Sequence, residues 1–135
     1  MRVMVAQISD NEKLTINLGF VDLGHIDLLV RNGFYSNRSD LIRTAIRNQL
    51  NTHADVTKQA TTRLTLELGL RHFTRQDLEA LRAKDERIDI RVLGLATIAD
   101  DVSPDLARAT IATVTVLGAL HASAAVKAAL ADRLN

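Results

Sequence analysis

The sequence predicts an α+β protein in two parts: one strand followed by two helices, then an α/β module of three strand–helix repeats. Three observations carry this. Apolar and polar residues alternate over 13–18, and again over 63–68, 88–92 and 112–116, which is the period of a half-buried strand. A glycine follows each of the last three runs, Gly69, Gly94 and Gly118, at near-equal spacing. Beyond each glycine stands a helix-start signal: Thr74 before 75–81, Ser103-Pro104-Asp105 before 106–109, and Ser123 before 124–130. Val92-Leu93-Gly94 and Val116-Leu117-Gly118 match literally, so the module reads as a repeat. Strands joined by helical crossovers run parallel.

The elements follow in order. Residues 1–10 read as a short arm, in which Val3, Val5 and Ile8 hint at a strand. Lys13, Thr15 and Asn17 alternate with Leu14, Ile16 and Leu18, and Gly19 ends that strand. A first helix is expected over 22–32, with Leu23, Ile26, Leu29 and Val30 as its apolar stripe and Asn32-Gly33 as its stop. Asn37 is the expected cap of a second helix, with Asp40 completing a capping box. Leu41, Ile42, Ala45, Ile46 and Leu50 form its apolar face. The polar, Thr-rich stretch 53–62 is a linker or a helix extension, which places a domain of 11–52 before one of 63–135.

Composition narrows the function. The chain has 135 residues, 47% of them hydrophobic, enough for a core. Aromatics make up 3%, too few for base-stacking platforms or aromatic cages. The absence of Cys removes disulfides, thiolate zinc sites and cysteine nucleophiles. The four histidines, His25, His53, His72 and His121, show no ligand spacing, and Asp100, Asp101 and Asp105 read as loop and helix-start acids. No metal, cofactor or catalytic residue is expected, and the protein is not expected to be an enzyme. No apolar run reaches the roughly 20 residues of a membrane helix. The start lacks the apolar core of a secretory signal, so a cytoplasmic protein is expected.

One strand has no sheet to join, and two short helices bury little. A homodimer resolves both problems. Two copies of 13–18 pair antiparallel over four helices, with Leu14, Ile16, Leu18, Ile26, Leu29, Ile42 and Ile46 in the shared core. Lys13, Thr15 and Asn17 then point outward on a two-stranded ribbon, a shape that fits the DNA major groove.

Residues 12–50 resemble the ribbon–helix–helix proteins of the MetJ/Arc/CopG superfamily. The residues that carry the resemblance are 13–18, Ile26-Asp27 and Leu29-Val30, and most densely Gly33-Phe34-Tyr35-Ser36-Asn37-Arg38-Ser39-Asp40-Leu41-Ile42-Arg43. The resemblance implies an obligate dimer whose swapped ribbon reads bases of double-stranded DNA through Lys13, Thr15 and Asn17. It also implies a phosphate held at the start of the second helix by Asn37, Arg38 and Ser39, where helix amides and dipole attract anions. Asn stands where many relatives have Ser, and it too caps well. Within 11–52 the cations Lys13, Arg31, Arg38, Arg43 and Arg47 barely outnumber the acids Glu12, Asp22, Asp27 and Asp40. A binder driven by charge alone would be more basic. Arg31, Arg43 and Arg47 read as a solvated helix face.

The expected function is a cytoplasmic, bacterial or archaeal transcriptional regulator, a repressor, that joins the nucleoid when bound to its operator. The alternatives are the antitoxin of a toxin–antitoxin pair, whose partner is a protein, and a dimeric scaffold acting through 63–135. The polar faces of the three C-terminal strands (Arg63, Thr65, Glu67; Asp89, Arg91; Thr113, Thr115) suggest a broad face that stays wet. Higher association of dimers would then use strand edges or the Ala-rich last helix.

Overall fold

The computed structural model describes residues 11–135, so the expected arm lies outside the described residues. The chain divides into two compact units, Asn11–Gln59 and Ala60–Asn135. The protein is mixed α/β, and no helix of the described residues is long and apolar enough to cross a membrane.

The first unit holds α1 (Phe20–Arg31) and α2 (Arg38–Thr52) and most of α3 (Ala54–Arg63). α1 stops at Gly33, whose φ of +83° a side chain would resist. There the Gly33 amide donates to the Val30 carbonyl and the Phe34 amide to the Leu29 carbonyl, closing the helix end. α3 occupies the Thr-rich stretch. Residues 11–19 form neither helix nor strand within the chain. A strand is defined by a hydrogen-bonded neighbour, and segment 13–18 finds none among the described residues.

The second unit is a three-stranded parallel sheet in the order β1-β2-β3: Glu67–Phe73, Ile88–Ile98 and Ile111–His121. The helices α4 (Arg75–Ala83), α5 (Pro104–Thr110) and α6 (Ala124–Ala129) follow the strands in turn. Each starts at the expected cap, where the hydroxyl oxygens of Thr74, Ser103 and Ser123 accept the amides of Asp77, Leu106 and Val126. Asp77 also accepts from the Thr74 amide, closing a capping box. All three helices lie on one face. There Phe73, Ile90, Val92, Ala96, Ile98 and Val114 pack against Leu78, Leu106, Ala107, Val126 and Leu130.

Two expectations are corrected here. The first C-terminal strand does not run over 63–68. Arg63 ends α3, and Thr65 turns the chain at φ +57°, so Leu64 to Leu66 belong to a helix stop and the strand begins at Glu67. The three glycines do not end their strands either. Gly69, Gly94 and Gly118 pair across the sheet in one row, at φ of +115°, +140° and +120°. A Cβ on Gly94 would overlap the Gly69 carbonyl oxygen, and a Cβ on Gly118 would overlap that of Gly94. The row is glycine because each carbonyl enters the space of its neighbour's missing side chain.

The expectation of a wet broad face is corrected with it. The face opposite the helices is polar before the glycine row, at Asp89, Arg91, Thr113 and Thr115. In the two rows that flank the glycines it carries Leu68, Leu93 and Leu117 on one side and Leu70, Leu95 and Ala119 on the other, and it is polar again at His72, Thr97 and His121. Of these two apolar rows the expected strands reached only Leu68, because the strands run on through and past the glycines.

Candidate nucleic-acid interface

The unit of residues 11–59 contains no buried residue. Its apolar side chains are present at the spacing read from the sequence, yet they face solvent. Leu14 is 79% exposed and Ile16 61%, while Leu18, Leu29, Ile46 and Leu50 are also exposed. Ile26 and Ile42 are half-buried. Between these apolar positions Lys13, Thr15 and Asn17 are exposed as well.

The start of α2 is built as expected in one respect and differently in two. Asn37 is extended (φ −165°, ψ 178°), and its side-chain oxygen accepts the Asp40 amide at 2.8 Å. Its carbonyl accepts the Leu41 amide. The first-turn amides of Arg38 and Ser39 make no bond among the described residues, as helix starts dictate unless a ligand supplies an acceptor. Asp40, however, does not close a capping box on Asn37. Its carboxylate accepts from the Ser36 amide at 2.9 Å, one residue further back.

Arg38 is also committed within the chain. Its guanidinium grips Asp27 of α1 with two bonds, Nε to Oδ1 and the terminal nitrogen to Oδ2, both 2.8 Å. This fork geometry braces α1 against α2. The hydrogen bonds from Arg38 hold the Asp27 carboxyl below the usual aspartate range, against desolvation, which pushes it up, and with further help from the Arg38 charge.

An open cleft at this helix start is lined by Ser36, Asn37, Ser39, Asp40, Arg43 and Arg47. Arg43 and Arg47, read from the sequence as solvated face, thus stand beside the expected anion position. The available signal was their spacing: Ser39, Arg43 and Arg47 lie at i, i+4 and i+8, on one side of a helix.

A profile of the ribbon-helix-helix transcriptional regulator family matches residues 9–127. The chain belongs to that family. The match runs far past the 12–50 segment that carries the sequence resemblance, so most of the strand–helix module is part of what defines this family of ribbon-helix-helix regulators. No curated protein and no solved structure matches the chain.

Proposed function

We propose that this ribbon-helix-helix regulator is a homodimer that binds an operator in double-stranded DNA and represses transcription in the cytoplasm of a bacterial or archaeal cell. The observation that carries the reading is a unit of residues 11–59 with correctly spaced apolar residues and none of them buried. Burying a Leu or Ile side chain is worth roughly 1.5–3 kcal/mol, so such a set needs a cover. A second copy supplies one. The two 13–18 segments pair as an antiparallel ribbon, Leu14, Ile16 and Leu18 turn inward with Ile26, Leu29, Ile42 and Ile46, and Lys13, Thr15 and Asn17 turn outward.

In this reading the ribbon enters the major groove and its three polar side chains meet base edges. The open amides of Arg38 and Ser39, with Asn37 as cap and Arg43 and Arg47 alongside, hold a backbone phosphate and fix the ribbon's register. The Asp27 brace sets Arg38 to position the helix start, leaving the phosphate to the amides. Mapping of chromosomal sites occupied by the full-length protein tests the reading. Discrete sites, lost when Ile16→Asp breaks the dimer, support it. Uniform occupancy of the chromosome, or none, contradicts it and leaves the scaffold alternative.

A further inference from the structure

Among the described residues, the glycine row has no further neighbour at either edge of the sheet. The Gly69 carbonyl fills the space beside Gly94, and the Gly94 carbonyl fills the space beside Gly118. By the same geometry the Gly118 carbonyl points on, out past β3. Gly69, at the other edge, holds a similar conformation, and none of the described residues comes within 4 Å of where its Cβ would stand. One edge therefore presents the carbonyl and the other the empty seat for it.

The rest of the two edges matches row for row. β1 spans only the rows that β3 enters from Val116 onward. The earlier part of the β3 edge is taken by Leu134 and Asn135. Leu134 bridges to Val114, the Asn135 amide donates to the Val114 carbonyl at 2.8 Å, and the Asn135 side chain donates to Thr115 at 3.2 Å. Leu134 and Asn135 thus contact the rows of Val114 and Thr115, whereas the rows that match β1 run from Val116. Neither open edge carries the Lys or Pro that commonly blocks edge pairing, and β1 pairs with no strand but β2 among the described residues. Leu68 and Leu70, at 80% and 66% exposed, would continue the apolar rows ending at Leu117 and Ala119.

We propose that β3 of one copy docks edge-on against β1 of another, parallel and in register, with Gly118 seated on Gly69. Leu68 then pairs with Leu117, Leu70 with Ala119 and His72 with His121. Two copies joined both ways would close a six-stranded barrel, but closure needs a stagger between strands and these rows have none. The contact is head-to-tail and passes on to further copies. If the DNA-binding reading holds, such a series sets dimers side by side on adjacent operators and raises their effective concentration there. That consequence rests on the proposed function, whereas the contact itself does not.

The chain has no Cys, so single introduced cysteines report the contact without background. Full-length Leu70→Cys and Ala119→Cys proteins, each checked for wild-type melting, are oxidised at micromolar concentration without DNA, separately and mixed. Neighbouring strands bring paired Cα atoms within disulfide range, whereas within one chain β2 stands between the two positions. Cross-linked pairs should form at least ten-fold faster in the mixture than in either protein alone. His72→Cys with His121→Cys is the second pair should the first fold poorly. Equal cross-linking of either variant with itself would overturn the proposal, as would no cross-linking in either mixture. Cross-linking that appears only after removal of residues 1–10 would also overturn it, because the chain's own start would then hold that edge. Operator binding by single dimers at nanomolar protein is measured separately, so failure of the contact and failure of the DNA reading are distinct results.

Discussion

Thr65 is the residue whose backbone is least suited to its side chain. It is β-branched and sits at φ +57° in the turn that ends α3. Such a conformation costs on the order of 1–3 kcal/mol for a residue of this kind. Thr65→Gly should therefore stabilise the protein, by about 1 kcal/mol after the added freedom of the unfolded glycine is subtracted. Urea denaturation of the two proteins measures this directly, and unchanged or lower stability would show that the side chain makes up for the strain. Asp27 makes a prediction about pH. Its carboxyl is held below the ordinary range by Arg38, so the pair's contribution is complete above that range and is lost as pH falls through the lowered value. The α1–α2 brace should thus be intact at neutral pH and weaken only in strong acid. An NMR titration of the Asp27 carboxyl should show a midpoint below that of an exposed aspartate, and Arg38→Ala should restore the ordinary midpoint.

Among the elements, the glycine row governs the sheet, and it separates two costs. Within a single copy, at concentrations too low for contact between copies, Gly69→Ala brings only the strain of a positive φ, about 1–3 kcal/mol. Gly94→Ala brings the same strain and a collision with the Gly69 carbonyl. Gly94→Ala should be the more destabilising by at least about 1 kcal/mol, a value at which strain and overpacking together are easily told from strain alone. Thermal unfolding of the two variants decides it, and equal losses would mean that the sheet simply widens at Gly94. The same row shows how far the sequence could be read. The repeat, the helix caps at Thr74, Ser103 and Ser123, and parallel strands in chain order follow from local rules of alternation and capping. The role of the glycines does not. A glycine after an alternating run looks like a stop, and only the neighbouring strand's carbonyl reveals it as part of the ladder. Thr65 misleads for a related reason: Leu64-Thr65-Leu66 alternates like a strand, while α3 extends into it from the other side. At the candidate site, Asn37 was legible as a cap because capping is local. The Arg38–Asp27 pair joins residues on two helices, and no spacing rule announces it.

For the whole molecule the account turns on the unit of residues 11–59, whose apolar residues lack burial within one chain. A dimer core at Ile16 predicts that Ile16→Asp places an unpaired charge between two copies, at a cost on the order of 3–5 kcal/mol. Sedimentation of this variant, at concentrations too low for edge contact between sheet modules, should show loss of the dimer. Circular dichroism should show loss of the α1 and α2 signal while the sheet module stays folded. A variant that remained a folded dimer would place the interface elsewhere. The central claim is that a ribbon of paired 13–18 segments reads DNA sequence, and its most direct measurement is site selection from random duplexes by the full-length protein and by Asn17→Ala. The account predicts that the wild type enriches a two-fold symmetric site. It predicts that Asn17→Ala loses preference at one base pair in each half-site, about 1–3 kcal/mol for each contact removed, while the flanking positions stay unchanged. Enrichment of the same site by both proteins with equal preference, or of no site by the wild type, would contradict it.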